Sequence, residues 1–152
     1  MSDPKPAFKI PRSVLVVIHT TDLQVLMMER SGWPGFWQSV TGSLDREDED
    51  LRDTAVREVR EETGLDANQY ALTDWHVEHD FEIFVQHRHR YAPGVTHNRE
   101  HVFSLELPAP WPVVLAPTEH LHYRWLPWRE AAGLTISWTN RDAITALADR
   151  IK

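Results

Sequence analysis

The chain has 152 residues, enough for one domain that buries its own core without staples. It contains no cysteine, which excludes disulfides, a thiolate metal site and a cysteine nucleophile, and fits a reducing compartment. A formal net charge of −7 argues against broad nucleic-acid binding, and no run reaches the roughly 18 apolar residues of a membrane span.

In chain order, the opening MSDPKPAFKI lacks a basic flank leading into a long apolar run, so a cytoplasmic protein with no leader and no membrane partner is expected. SVLVVIHT (13–20) and LQVLMMER (23–30) are apolar, β-branched runs separated by TD, which predicts paired strands. SGWPGFW reads as a loop, followed by the short apolar SV and Gly42. Asp48, Glu49 and Asp50 suit a helix N-terminus, where negative charge meets the positive end of the dipole, and Gly64 suits its stop. Residues 75–91 and 101–107 read as extended. PWREAAG and WTNRDAITALADRIK read as helices, the second capped by Thr139 or Asn140. One α/β domain over residues 1–152 follows.

The helix ending at Gly64 is unusual in its charge. Between Asp45 and Glu62 there are nine acids and four bases, a difference of five that makes up most of the net −7. Glu58, Glu61 and Glu62 sit at spacings where like charges repel across one helical turn. At about 100° per residue, Glu62 falls about 40° from Glu58, inside the apolar arc of Leu51, Ala55 and Val59, while Glu61 falls about 60° the other way. A solvated acidic face would place its carboxylates opposite the apolar stripe. Carboxylates inside it need protonation, an ion pair from Arg57 or Arg60, or a metal. Oxygen ligands without cysteine or a histidine pair select a hard cation, Mg2+ or Mn2+.

Further on, strand alternation in FEIFVQHRHRYAPGVTHNREH (81–101) would put Arg88 and Arg90 on one face and Phe81, Ile83, His87 and His89 on the other. An arginine pair near an acidic metal site suits a polyphosphate; the alternative is a solvated edge strand guarded by basic residues. His87 and His89 lack a third ligand at a recognised spacing, so a histidine metal site is not expected. Of seven tryptophans, Trp37 and Trp138 are the candidates for stacking on a flat heterocycle, with Phe81 and Phe84 as rivals and core packing the default.

From Glu49 the chain fits E-x7-R-E-U-x-E-E-x-G-U, with U apolar, and Gly42 precedes it in GSLDREDED. This resembles the box of the Nudix hydrolases, with one departure: six residues, not five, separate Gly42 from Glu49, read as a one-residue loop insertion before an unshifted helix. The resemblance implies a Nudix fold, a mixed β-sheet sandwiched between α-helices. It also implies Mg2+-dependent hydrolysis of a nucleoside-diphosphate-like compound, with Mn2+ as a substitute. Glu58, Glu61, Glu62 and the Gly42 carbonyl would hold metal, and Arg57 with Glu49 would brace loop and helix.

FKIPRSVLVVI, FWQSVTGS, FEIF, HRHRYAPGVT, TEHLHYRWL and SWTNR together resemble one Nudix subfamily, the dihydroneopterin triphosphate pyrophosphatases of bacterial folate synthesis. Carried over to matching positions, Lys9, Arg30, Thr41, Phe81, Glu82, Ile83, Phe84 and Ser137 would contact a small-molecule triphosphate; Arg88 and Arg90, read from the strand pattern, would clamp its charge. Glu119 would complete the metal site or act as general base, a role shared as a candidate with Glu61. Two alternatives stand beside this reading: a house-cleaning purine dNTP pyrophosphohydrolase, and a Nudix module that binds a nucleotide without cleaving it. The sequence does not decide between monomer and homo-oligomer.

Overall fold

The computed structural model describes residues 8–151; the expectations for the opening residues 1–7 and for Lys152 as the end of the last helix lie outside the described residues. Strands β1 (Arg12–Thr20), β2 (Gln24–Arg30), β3 (Trp37–Gln38) and β4 (Val40–Ser43) lead into α1 (Leu51–Thr63). Then come β5 (Ala71–Glu82), β6 (His97–Leu107), β7 (His120–Pro127), α2 (Trp128–Leu134) and α3 (Trp138–Ile151). The sheet is mixed: β1 runs parallel to β6, and its other pairings are antiparallel.

β1 is an unbroken apolar run because both of its faces are covered. Val14, Val16 and Ile18 pack with Ala55 and Val59 of α1 and with Phe103 and Leu105 of β6. Leu15 and Val17 face the other way, onto Ala131 and Ala132 of α2 and Ala143, Ile144 and Leu147 of α3. Helices therefore cover both sides of the sheet, as the family resemblance implied. Each such fully buried aliphatic side chain contributes about 1.5–3 kcal/mol of transfer free energy.

β1 and β2 pair only at His19 and Val25. Beyond that point β1 takes β4 as its neighbour, from Ser13 to Val16, while β2 takes β7 and β3. The sheet thus parts into two leaves, β5-β6-β1-β4 and β7-β2-β3, and a cleft opens where they diverge. No helix among the described residues is long and apolar enough to cross a membrane.

Two expectations are corrected, and one strand is added. The extended reading of 75–91 fails after Glu82: β5 ends there, and Val85–Arg90 form a 3-10 helix, so strand alternation does not govern Arg88 and Arg90. β7 was not anticipated, although Tyr123 and Trp125 alternate with His122 and Arg124 at a strand period. The cap of α3 is neither Thr139 nor Asn140, which are buried inside the helix. Ser137 takes that place: its Oγ accepts from Asn140 N–H at 3.3 Å, and its carbonyl accepts from Arg141 N–H at 3.0 Å.

Candidate active site

α1 is set by its ends. The Asp50 carboxylate accepts from Arg52 and Asp53 N–H groups, and Gly64 closes the helix at φ 77°, a conformation that glycine adopts without penalty. Between them the wheel holds: Glu62 is 1% exposed, Glu58 is 7% exposed, and Glu61 faces solvent. The Glu58 carboxylate lies directly on Gly42; a Cβ at that position would come within 2.0 Å of Glu58 Cδ. Glycine is needed here for close approach.

The loop before the helix is held by Arg57. Its Nε donates to Glu49 Oε2 at 3.1 Å, its Nη2 donates to Glu49 Oε1 at 3.0 Å and to the Ser43 carbonyl at 3.1 Å, and its Nη1 donates to Glu58 Oε1 at 2.7 Å. Glu49 also accepts from Asp45 N–H and Thr54 Oγ. Burial alone would raise the Glu49 carboxyl, but hydrogen bonds from Arg57, Asp45 and Thr54 and the Arg57 charge hold it at about 2. At the surface of the same loop Asp48 pairs with Arg46 at 3.2 Å, and Glu49 pairs with Arg57 at 3.0 Å.

Both Glu62 oxygens are buried with no hydrogen-bond partner, as is His120 Nδ1, 3.8 Å from Glu62 Oε1. Burial pushes Glu62 well above the usual carboxylate range, and the Glu58 charge adds to it. Burial raises Glu58 as well, against the pull of Arg57. His120 is driven down to about 4 by burial and the Arg30 charge, so its ring is neutral near pH 7. Glu62, Glu119 and His120 offer one ligand atom each within 4.8 Å of one another. Acceptor-only carboxylates without donors are what a hard cation would satisfy, and this donor set fits one.

These groups line one end of a cavity of about 840 Å³ between the two leaves of the sheet. Lys9, Arg30 and Arg90 line it next. Lys9 is brought there by its N–H bond to the Arg90 carbonyl at 2.8 Å, and burial with the charges of Arg90 and Arg30 lowers its amine to about 8. Glu119 is placed by its loop, its carbonyl accepting from Ser31 N–H at 2.9 Å. Thr41, Phe81, Glu82, Ile83, Phe84 and Ser137 also reach the cavity, as does Trp138, 48% exposed.

Two expected contacts are not brought in. Arg88 turns back onto its own chain, its Nη2 donating to Glu82 Oε1 at 2.5 Å and its Nε to the Ile83 carbonyl at 3.1 Å, so it does not line the cavity beside Arg90. Trp37 packs against the α2–α3 core instead of the cavity. Sequence reasoning missed His120 and Glu100, which only strand pairing brings to the cavity wall.

A NUDIX domain model matches residues 9–147. The chain belongs to the NUDIX family. Within it, this NUDIX chain is 51% identical over 140 residues to the dihydroneopterin triphosphate diphosphatase of Escherichia coli K12, covering 90% of this chain and 91% of that protein. It is 44% identical to the enzyme of the same name from Haemophilus influenzae, covering 90% and 87%. The structure of the E. coli dihydroneopterin triphosphate pyrophosphohydrolase superposes with a TM-score of 0.88 at 47% identity, covering 95% of this chain and 99% of that one.

Proposed function

We propose that this NUDIX hydrolase cleaves dihydroneopterin triphosphate to dihydroneopterin monophosphate and pyrophosphate in the cytoplasm, using Mg2+. One observation carries the chemistry: a buried, unpartnered Glu62 carboxylate shares a cavity with the cationic Lys9, Arg30 and Arg90. The pterin is supported by likeness to enzymes of that name over nine-tenths of the chain.

Glu58, Glu62 and Glu119, with Glu61 and the Gly42 carbonyl, would hold the magnesium, which when bound neutralises phosphate charge and acidifies water. Arg57 holds Glu58 in position through its 2.7 Å bond, with Glu61 at 3.5 Å. Lys9, Arg30 and Arg90 take phosphate oxygens, orient the chain and stabilise charge on the departing pyrophosphate. Glu119 or Glu61, both exposed to the cavity, accepts the proton of the attacking water as its oxygen bonds to phosphorus and the bridging P–O bond breaks.

A side-by-side pyrophosphate-release assay tests this reading. Dihydroneopterin triphosphate should exceed dATP and oxidised dGTP in kcat/KM by at least about tenfold. Preference for a dNTP would assign the enzyme to nucleotide cleansing, and tight binding without turnover would make it a sensor.

A further inference from the structure

Beyond the phosphate-binding end, the cavity reaches the sheet face that α3 covers. Ser13, Glu100 and His79 stand in register there on β1, β6 and β5. Most polar groups of this wall are already engaged. Ser13 Oγ donates to Asn98 Oδ1 at 2.9 Å, and Asn98 Nδ2 donates to the Tyr91 hydroxyl at 3.2 Å. Asn140 is held by Ser39, accepting from its N–H at 2.8 Å and donating to its Oγ at 3.0 Å.

Glu100 is different. It lines the cavity and is 4% exposed, yet its Oε1 has no hydrogen-bond partner. The nearest group able to carry positive charge, His79 Nδ1, is 4.0 Å away, beyond hydrogen-bond reach, and is itself without a partner. The His79 ring is held edge-on to Trp138, with centroids 5.4 Å apart. A buried carboxylate oxygen lacking a donor is costly to keep in an apo protein. On a cavity wall, that cost is recovered when a ligand brings the donors.

We propose that Glu100 is a specificity residue that reads the heterocycle of the substrate, accepting from the ring N–H and adjacent exocyclic amine of a 2-amino-4-oxopyrimidine edge. Pterins and guanine share this edge. The inference rests on the hydrolase reading above, which supplies the triphosphate at the other end of the cavity. A carboxylate only accepts, so it suits an edge of two adjacent donors and disfavours one that carries an acceptor. Adenine presents a ring acceptor beside its amine and leaves Glu100 facing a lone pair; hypoxanthine keeps the ring N–H but lacks the amine. Trp138 and Phe81, both on the cavity, supply apolar surface for a flat ring.

The test compares dihydroneopterin triphosphate, dGTP, dITP and dATP as substrates of the wild type and of Glu100→Gln, with kcat/KM and Kd measured for each. Wild type should favour dGTP over dITP by about 10- to 100-fold, the worth of one hydrogen bond to a charged group. In Glu100→Gln, where an amide N–H replaces one acceptor, that ratio should fall to about one. A wild-type ratio near one overturns the proposal without any variant. So does a ratio unchanged in Glu100→Gln, or an equal loss on all four compounds, which would make Glu100 an internal partner of His79. Wild type that prefers dATP to dihydroneopterin triphosphate would instead sink the proposed function, while the dGTP-to-dITP ratio, read from Kd if turnover is absent, would still judge Glu100.

Discussion

Glu62 is buried on the apolar stripe of α1 with neither oxygen partnered, which is costly for a carboxylate. A residue kept at such a cost in the apo protein is kept for what binds it, and stability and activity should therefore separate. Glu62→Gln puts a neutral isostere where burial already disfavours the charged carboxylate, and keeps the shape. The metal-free variant should melt at the wild-type temperature or about 2–4 °C higher, the shift that about 1 kcal/mol produces at this size. Its pyrophosphate release should fall by about 10²- to 10³-fold or more, as expected on losing a group that stabilises transition-state charge. Unchanged release at saturating Mg2+ would remove Glu62 from the site. Gly42→Ala works from the opposite side, since the new Cβ would occupy the Glu58 carboxylate position. Circular dichroism should show an intact fold, while calorimetry should show Mg2+ affinity reduced by at least about tenfold, because one ligand is displaced.

At the level of elements, the loop from Leu44 to Asp50 and the first half of α1 act as one braced unit, with Arg57 bridging Glu49, Asp45, Ser43 and Glu58. The brace has a pH signature with a definite sign. Glu49 is held at about 2 when folded, below its ordinary 4.5. Its contribution is therefore complete above about pH 4.5 and is lost as pH falls toward 2. The melting-temperature gap between wild type and Glu49→Gln should be flat above about pH 5 and should close on acidification; a gap that widens in acid would contradict the brace. Asp50→Ala, which removes the α1 cap, should cost about 1 kcal/mol and lower the melting temperature by about 2–4 °C without changing metal affinity.

For the molecule as a whole, folding brings several carboxylates to one cleft, with Glu58 and Glu62 buried, and cation binding should offset their repulsion. Glu58 and Glu62 have folded pKa values raised above the unfolded ones, so their contribution favours the fold at low pH and is lost as pH rises. In the proposed function a divalent cation would take the place of the proton there. At one fixed Mg2+ concentration, the rise in melting temperature on replacing EDTA with Mg2+ should thus be larger at pH 8, where Kd is lower, than at pH 5.5; where that concentration is 100 times Kd the rise reflects about 2.7 kcal/mol. A shift independent of pH would mean that the cation binds elsewhere. Much of this arrangement was legible in the linear chain, because it depends on spacing: the apolar run of β1, the acidic start and glycine stop of α1, and the wheel that buries Glu62 and exposes Glu61. Strand and helix periods along the chain carry those features. Strand alternation misled where the chain left the sheet after Glu82, since nothing local distinguishes a continuing strand from a turn stabilised by Arg88 on Glu82 and Ile83. The pairing of β7 with β2, the parting of the sheet into two leaves, and the meeting of Glu62 with His120 and of Glu100 with the cavity were decided only by the tertiary structure. Those contacts join residues far apart in sequence, and their free energy comes from burial that no short stretch can achieve alone.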